Sequence, residues 1–149
     1  MNEFFANQVL LTAMAANFAA QGLKVIIPLI AERKFELHRL FETGGMPSSH
    51  TAGIVALAGG IGITQGWDSA LFAVAFTFAA FVIYDAAKVR QAAGQHAEVL
   101  NGLIRELEHL FDKDFRPQAL KTLLGHTVPQ VIAGAFIGLL AIFISFGPF

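Results

Sequence analysis

The chain has no cysteine, a single tryptophan, a single tyrosine, and charge on only 14% of its 149 residues. Without cysteine there is no disulfide framework and no thiolate to act as nucleophile or ligand, and redox usage says nothing about the compartment. A typical soluble domain carries about 25% charged residues, so the shortage of charge argues against a surface built for water. A net charge of −1 offers no basic field, and no nucleic-acid partner is expected. The N-terminus lacks a basic stretch and the first apolar segment runs past signal length, so the expectation is a retained span and no cleaved leader. Internal repeats and low-complexity tracts are also missing.

What the chain has is hydrophobic residues, 55% of the total, gathered in runs of the length a bilayer core demands of a helix. Four spans are read at about 4–31, 50–65, 69–88 and 127–146. The first, "FFANQVLLTAMAANFAAQGLKVIIPLIA", is interrupted by Gln21, Lys24 and Pro28, and the second, "TAGIVALAGGIGIT", is short and rich in glycine. A soluble bundle of buried helices is the alternative, but a chain this small has too much surface to hide four uncharged helices. The expected fold is all-α: one domain, 1–149, an integral membrane bundle of about four transmembrane helices plus a cytoplasmic amphipathic helix.

Charge placement orients the spans. Apart from Lys24, the Lys and Arg residues fall in two stretches, Arg33 to Arg39 between the first two spans and Lys88 to Lys121 between the last two. Both basic loops are therefore expected on the cytoplasmic side, with both termini outside, and the location is read as a bacterial inner (cytoplasmic) membrane. Within the second loop Leu100, Leu103, Ile104, Leu107, Leu110 and Phe111 recur at helical spacing, opposite Glu98, Asn101, Arg105, Glu106, Glu108 and Asp112. This pattern predicts an amphipathic helix over about 95–112, covering the cytoplasmic end of the bundle and its headgroup region.

The polar clusters converge on that face. "GGMPSSH" opens the second span, "YDAAKVR" closes the third, "LKTLLGHTVPQ" opens the fourth, and Lys24 lies in the inner half of the first. Charge at membrane depth is costly and marks a functional site when it persists. His50 and His126 each stand at a helix N-terminus, where unpaired N–H groups and the helix dipole favour an anion. Arg90 suits a forked grip on phosphate and Lys24 a point charge. One imidazole can attack phosphorus while the other protonates the leaving oxygen. Simpler roles stand beside these: Ser48 and Ser49 as N-caps, and Asp85 with Lys88 as a local ion pair. His38, His96 and His109 are read as surface residues. No metal is expected, because His50, Asp85 and His126 lack the close spacing of a strong ligand motif.

In this order the three polar elements resemble the divergent branch of the type 2 phosphatidic acid phosphatase family, related to acid phosphatases and vanadium haloperoxidases. The resemblance runs from about Gln21 to Gly138. It implies that His126 is the nucleophile that becomes a phosphohistidine, that His50 protonates the leaving group, and that no cofactor is needed. It sets Lys24 and Arg33 in the place of the family's first motif. Nine steps along one unbroken helix would put them on opposite faces, so both reach the site only if the helix bends or ends near Pro28. Gln130 stands where the family has an acid that orients the nucleophile. Lys121 and Arg90 substitute for a missing arginine, and Gln91 stands where a second arginine often follows. Phosphate binding is accordingly assigned to Lys24, Arg33, Ser48, Ser49, Asp85, Arg90 and Lys121.

Together these readings predict a metal-independent membrane phosphatase that hydrolyses a lipid phosphomonoester or pyrophosphate at the cytoplasmic face. The rival is a catalytically weak lipid- or anion-binding protein, or a transporter component, on the same scaffold, and Gln130 is the residue that favours it. The expected partners are the bilayer and a lipid phosphate. "ALAGGIGI" and "AGAFIGLL" suit close helix packing, within one chain or across a homodimer.

Overall fold

Short polar side chains start the long helices. Asn7 accepts from the Leu10 N–H at 3.0 Å and opens α2, Gln8–Glu32, after the short α1, Asn2–Ala6. Ser48 caps α3, Ser49–Gln65, and Ser69 caps α4, Ala70–Tyr84, by accepting from Phe72 N–H at 3.1 Å. In each case the backbone donors left over at a helix start find an oxygen one residue before an apolar run. Helix α4 passes through a π turn, Asp85–Val89, directly into α5, Arg90–Glu106, and α6 spans Val128–Phe146 with Pro129 in its first turn. This is a computed structural model, and it describes residues 2–33, 35, 37, 44–107, 109, 118–122 and 124–148. Among them every regular element is helical, as the sequence predicts.

Helix α3 is the hub, packed against α2, α6 and α4. Its neighbours come close because the facing residues are small. Ala13, Ala16 and Ala20 of α2 meet Ala52 and Ala56 of α3 in one buried cluster with Ile142 of α6. On α6, Gly134 lies against the Ser48 backbone, and a side chain at Gly138 would stand 2.6 Å from the Ala52 carbonyl. Two glycines four apart on one helix face let backbones approach as membrane helices commonly do. The glycine-rich faces are thus used inside the chain.

The outside is as apolar as the inside. Phe18, Ile30, Val74, Phe76, Phe81, Ile132, Phe136 and Ile144 are all exposed, an arrangement water would penalise and hydrocarbon would not. Three helices are long and apolar enough to cross a membrane: Gln8–Ala31, the continuous Ala70–Glu106, and Val128–Phe146. The sequence predicts four. The difference is α3, whose 17 residues rise about 25 Å, at the lower limit of what a spanning helix needs.

The segment after Tyr84 also differs from expectation. The charges of "YDAAKVR" suggest an exit into a loop before a separate amphipathic helix. Instead α5 continues α4 from Arg90, because "AAKVRQAA" contains no breaker and consists largely of good helix formers. The predicted stretch beyond it, including Leu110, Phe111 and Asp112, lies outside the described residues, as does His38.

Candidate functional site

His126 is held by its backbone before its ring does anything. The segment leading to it runs along α5, where the Asn101 side-chain amide both donates to the Leu120 carbonyl and accepts from the Leu120 N–H, each at 2.9 Å. Gly94 of α5 lets the Thr122 carbonyl pass in direct contact. Gly125 then turns the chain with φ 85, a conformation that favours glycine. A side chain there would also stand 2.7 Å from the Gln91 nitrogen. The His126 N–H donates to the Ala86 carbonyl inside the π turn at 2.8 Å. Thus the π turn and two glycines place the histidine one residue before the cap of α6.

His126 is 3% exposed. Its Nδ1 lies 3.2 Å from Gln130 Oε1, and the same oxygen accepts from the Thr127 N–H at 3.0 Å. A backbone N–H can only donate, so the Gln130 atom facing it must be the oxygen, and Nδ1 must then carry the proton. Nε2 is buried and makes no well-formed hydrogen bond among the described residues, the Gly45 backbone being the other polar group, besides Gln130, that acts on the ring. His126 is held below its ordinary pKa of 6.5, chiefly by burial; the Gln130 hydrogen bond opposes this, the charges of Lys24 and His50 add to it, and the Gly45 backbone opposes it. Neutrality with the proton on Nδ1 is the state a nitrogen nucleophile needs.

The two helix N-termini lie side by side. Ser48 N–H donates to the Gln130 carbonyl at 3.0 Å, which joins the start of α3 to the first turn of α6. His50, in the first turn of α3, is exposed at its edge and acts electrostatically on His126, and the charges of Arg90, Lys24 and Asp85 all act on His50. Lys24 is 2% exposed and its stem lies 3.8 Å from where a Gly45 side chain would begin. Lys24, His50, Asp85, Arg90, His126 and Gln130 are therefore one neighbourhood.

Other predicted members stand elsewhere or do something else. Helix α2 does not break at Pro28 but runs on to Glu32, with Arg33 as its left-handed cap. Nine residues of helix separate Lys24 from Arg33 by about 13.5 Å and half a revolution. Arg33 and Lys121 are exposed and are not among the charges acting on either histidine. The buried Ser48 hydroxyl accepts from both the N–H and the hydroxyl of Thr51. Ser49 is buried, and its carbonyl accepts from Asn17 Nδ2 at 3.1 Å. Asp85 pairs with Arg90 at 2.9 Å and not with Lys88. The π turn is the cause, since its wider winding brings residues five apart onto one side. Among the described residues no three His, Asp or Glu side chains gather as metal ligands.

From His50 an open groove of about 370 Å³ runs between α2, α3 and α4. Asn17 and Val82 stand with His50 at one end, and Met14, Ile54, Leu57 and Phe78 form the walls beyond.

Several of these contributors carry little sequence signal. The Ala86 carbonyl and the π turn have none. Thr127 has one, because Thr-x-x-Gln is a capping box that announces both the start of α6 and the reach of Gln130 back to it.

A buried histidine held below its ordinary pKa, a buried lysine and a second histidine thus lie in one neighbourhood at the paired starts of α3 and α6. The chain belongs to the Divergent PAP2 family, which it matches over residues 5–141. A relative from Bacillus subtilis (strain 168), the uncharacterized membrane protein YuiD, is 40% identical over 147 residues, which cover 93% of this chain and 93% of the relative. No solved structure matches. Family, relative and the three apolar helices together support an integral membrane protein.

Proposed function

We propose that this protein is a phosphatase of lipid phosphates, working at the cytoplasmic face of the membrane through a phosphohistidine. One observation carries the reading: His126 presents a buried Nε2 that makes no well-formed hydrogen bond among the described residues, while Gln130 holds the proton on the opposite nitrogen. Nothing in the packing of a helix cap requires such an atom, and leaving a polar atom unpaired in a buried place is costly. In the proposed reaction Nε2 attacks phosphorus, and the N–P bond forms as the P–O bond to the lipid alcohol breaks. Protonated His50 gives its proton to the leaving oxygen. Water then attacks phosphorus, losing a proton to His50, and phosphate departs from a neutral His126. Lys24 and the N–H groups at the starts of α3 and α6 offset the added negative charge.

A second reading is kept because of Gln130. A glutamine orients the ring but cannot stabilise an imidazolium as a carboxylate would, which suits a protein that binds lipid or another anion without turning it over, or a component of a transporter. The two separate in one assay. Purified full-length protein in detergent is given phospholipid and isoprenoid phosphates and monophosphates of simple alcohols, and phosphate release is followed. The phosphatase reading expects release, trapping of labelled phosphate as an acid-labile adduct at His126, and loss of both in His126→Ala. Binding without release from any of these compounds hands the protein to the second reading.

A further inference from the structure

We infer that the groove between α2, α3 and α4 seats one hydrocarbon chain of a membrane lipid whose phosphate lies at the histidines. The inference deepens the proposed function and rests on it for the position of the phosphate. Three features single this groove out. It is walled by Met14, Ile54, Leu57 and Phe78, so in a bilayer it fills with hydrocarbon and not with water. It opens sideways on the apolar exterior of the bundle, where Phe78 is 58% and Met14 38% exposed, so a lipid can enter without leaving the membrane plane. It ends at His50, whose surroundings include the cations Lys24 and Arg90. The wall from His50 to Leu57 is seven residues of helix, about 10 Å long, and runs away from the polar end, as the chain of a lipid runs away from its headgroup.

Affinity and register come from different parts of such a site. A lipid tail moving from bilayer to groove exchanges hydrocarbon for hydrocarbon, so the groove adds little binding free energy. The phosphate, meeting buried charge, supplies the attraction. What the groove supplies is placement, since a chain lying along α3 holds the phosphate ester beside His50. Asn17 stands at that polar end with its amide already engaged by the Ser49 carbonyl, which keeps the junction between headgroup and chain rigid. The walls are therefore expected to select for chain shape, and chain-free phosphates are expected to bypass them.

Photo-crosslinking tests this without requiring turnover. The probe is dodecyl phosphate carrying a diazirine at mid-chain, used with the full chain in detergent or vesicles, and the same diazirine alcohol lacking phosphate is the control. The expected result is labelling concentrated on Met14, Ile54, Leu57 and Phe78, at least fivefold above that from the alcohol. Even labelling of outer residues such as Phe76 and Phe136, or equal labelling by probe and alcohol, overturns the inference whatever the protein does with phosphate. Groove labelling without phosphate release from any substrate leaves the inference standing and removes the phosphatase reading. A filled groove gives the kinetic counterpart: Leu57→Trp should raise KM for dodecyl phosphate about tenfold and leave hydrolysis of water-soluble aryl phosphate within twofold. An equal loss on both substrates, or no change on dodecyl phosphate, counts against the chain seat.

Discussion

Gln130 does two jobs with one oxygen. It accepts from the Thr127 N–H as part of the cap of α6 and from His126 Nδ1 as the orienter of the ring. A glutamate keeps both acceptors and adds charge, so Gln130→Glu is expected to raise the rate of phosphate release, each tenfold gain corresponding to about 1.4 kcal/mol of barrier. Gln130→Leu removes both bonds. It should lose activity and helix-cap stability together, the latter by about 1 kcal/mol, whereas Thr127→Ala should cost stability alone. A second expectation concerns pH. His126 titrates below 6.5 in the folded protein because burial disfavours the cation, and the unfolded chain binds its proton first as pH falls. Stability should therefore decline as pH drops from about 6.5 towards the lower folded value and level off beneath it. The acid limb of kcat/KM should likewise have its midpoint below 6.5, since the attacking nitrogen must be unprotonated. Unfolding and rate profiles measured side by side check both, and a limb above 6.5 would exclude His126 as the nucleophile. Lys24, His50 and His126 stood out in the sequence as histidines at helix starts and a lysine inside an apolar run in a chain with so little charge, and the structure brings the three into one neighbourhood. The proton's location was not, since it depends on which backbone N–H shares the Gln130 oxygen.

Helix α3 meets α6, and α5 meets the residues leading to His126, through glycine, and the glycines differ in what replacing them would do. At Gly125 an alanine would face both a left-handed φ and the Gln91 backbone; at Gly94 it would meet the Thr122 carbonyl. Neither neighbour is a flexible side chain, so each of Gly125→Ala and Gly94→Ala is expected to cost about 1–3 kcal/mol and to displace His126 from the Ala86 carbonyl. Gly102, in the middle of α5, meets nothing within 4 Å. There the substitution should stabilise by up to about 1 kcal/mol, the ordinary difference in helix propensity. Thermal unfolding followed by circular dichroism, with phosphate release from the same samples, should therefore separate Gly102→Ala from the other two. If all three behave alike, the close approach of Thr122 and Gly125 to α5 is wrong. At this scale the spans could be read from hydrophobic runs, and the caps Asn7, Ser48 and Ser69 are ordinary helix-start residues. The continuity of α4 with α5 was obscured because the charges of "YDAAKVR" look like a membrane exit, while a π turn leaves no compositional trace.

The molecule as a whole is a bundle turned outward, with alanine and glycine at its contacts and phenylalanine and isoleucine on its exterior. Such an exterior suits hydrocarbon and not water, and the orientation of the chain in the membrane would decide which pool of phosphate compounds the proposed site meets. Along the sequence the Lys and Arg residues, Lys24 apart, fall in the stretches between α2 and α3 and between α4 and α6, which lead to His50 and His126, while the turn at Trp67 and Asp68 has none, which predicts the histidine end inside the cell. The absence of cysteine makes this directly measurable, because any single introduced thiol is the whole signal. In intact cells Asp68→Cys should react with a membrane-impermeant maleimide, and Arg105→Cys should react only after the membrane is permeabilised. Both positions are exposed, so a permeant reagent should label both equally and control for folding. The reverse pattern would place the histidines on the outer side, and phosphate release would then have to be sought from lipids of the outer leaflet. A thiol at Arg105 that stays protected after permeabilisation would instead mean that α5 is buried in the membrane or beneath another chain, contrary to its polar flank of Glu98, Asn101 and Glu106.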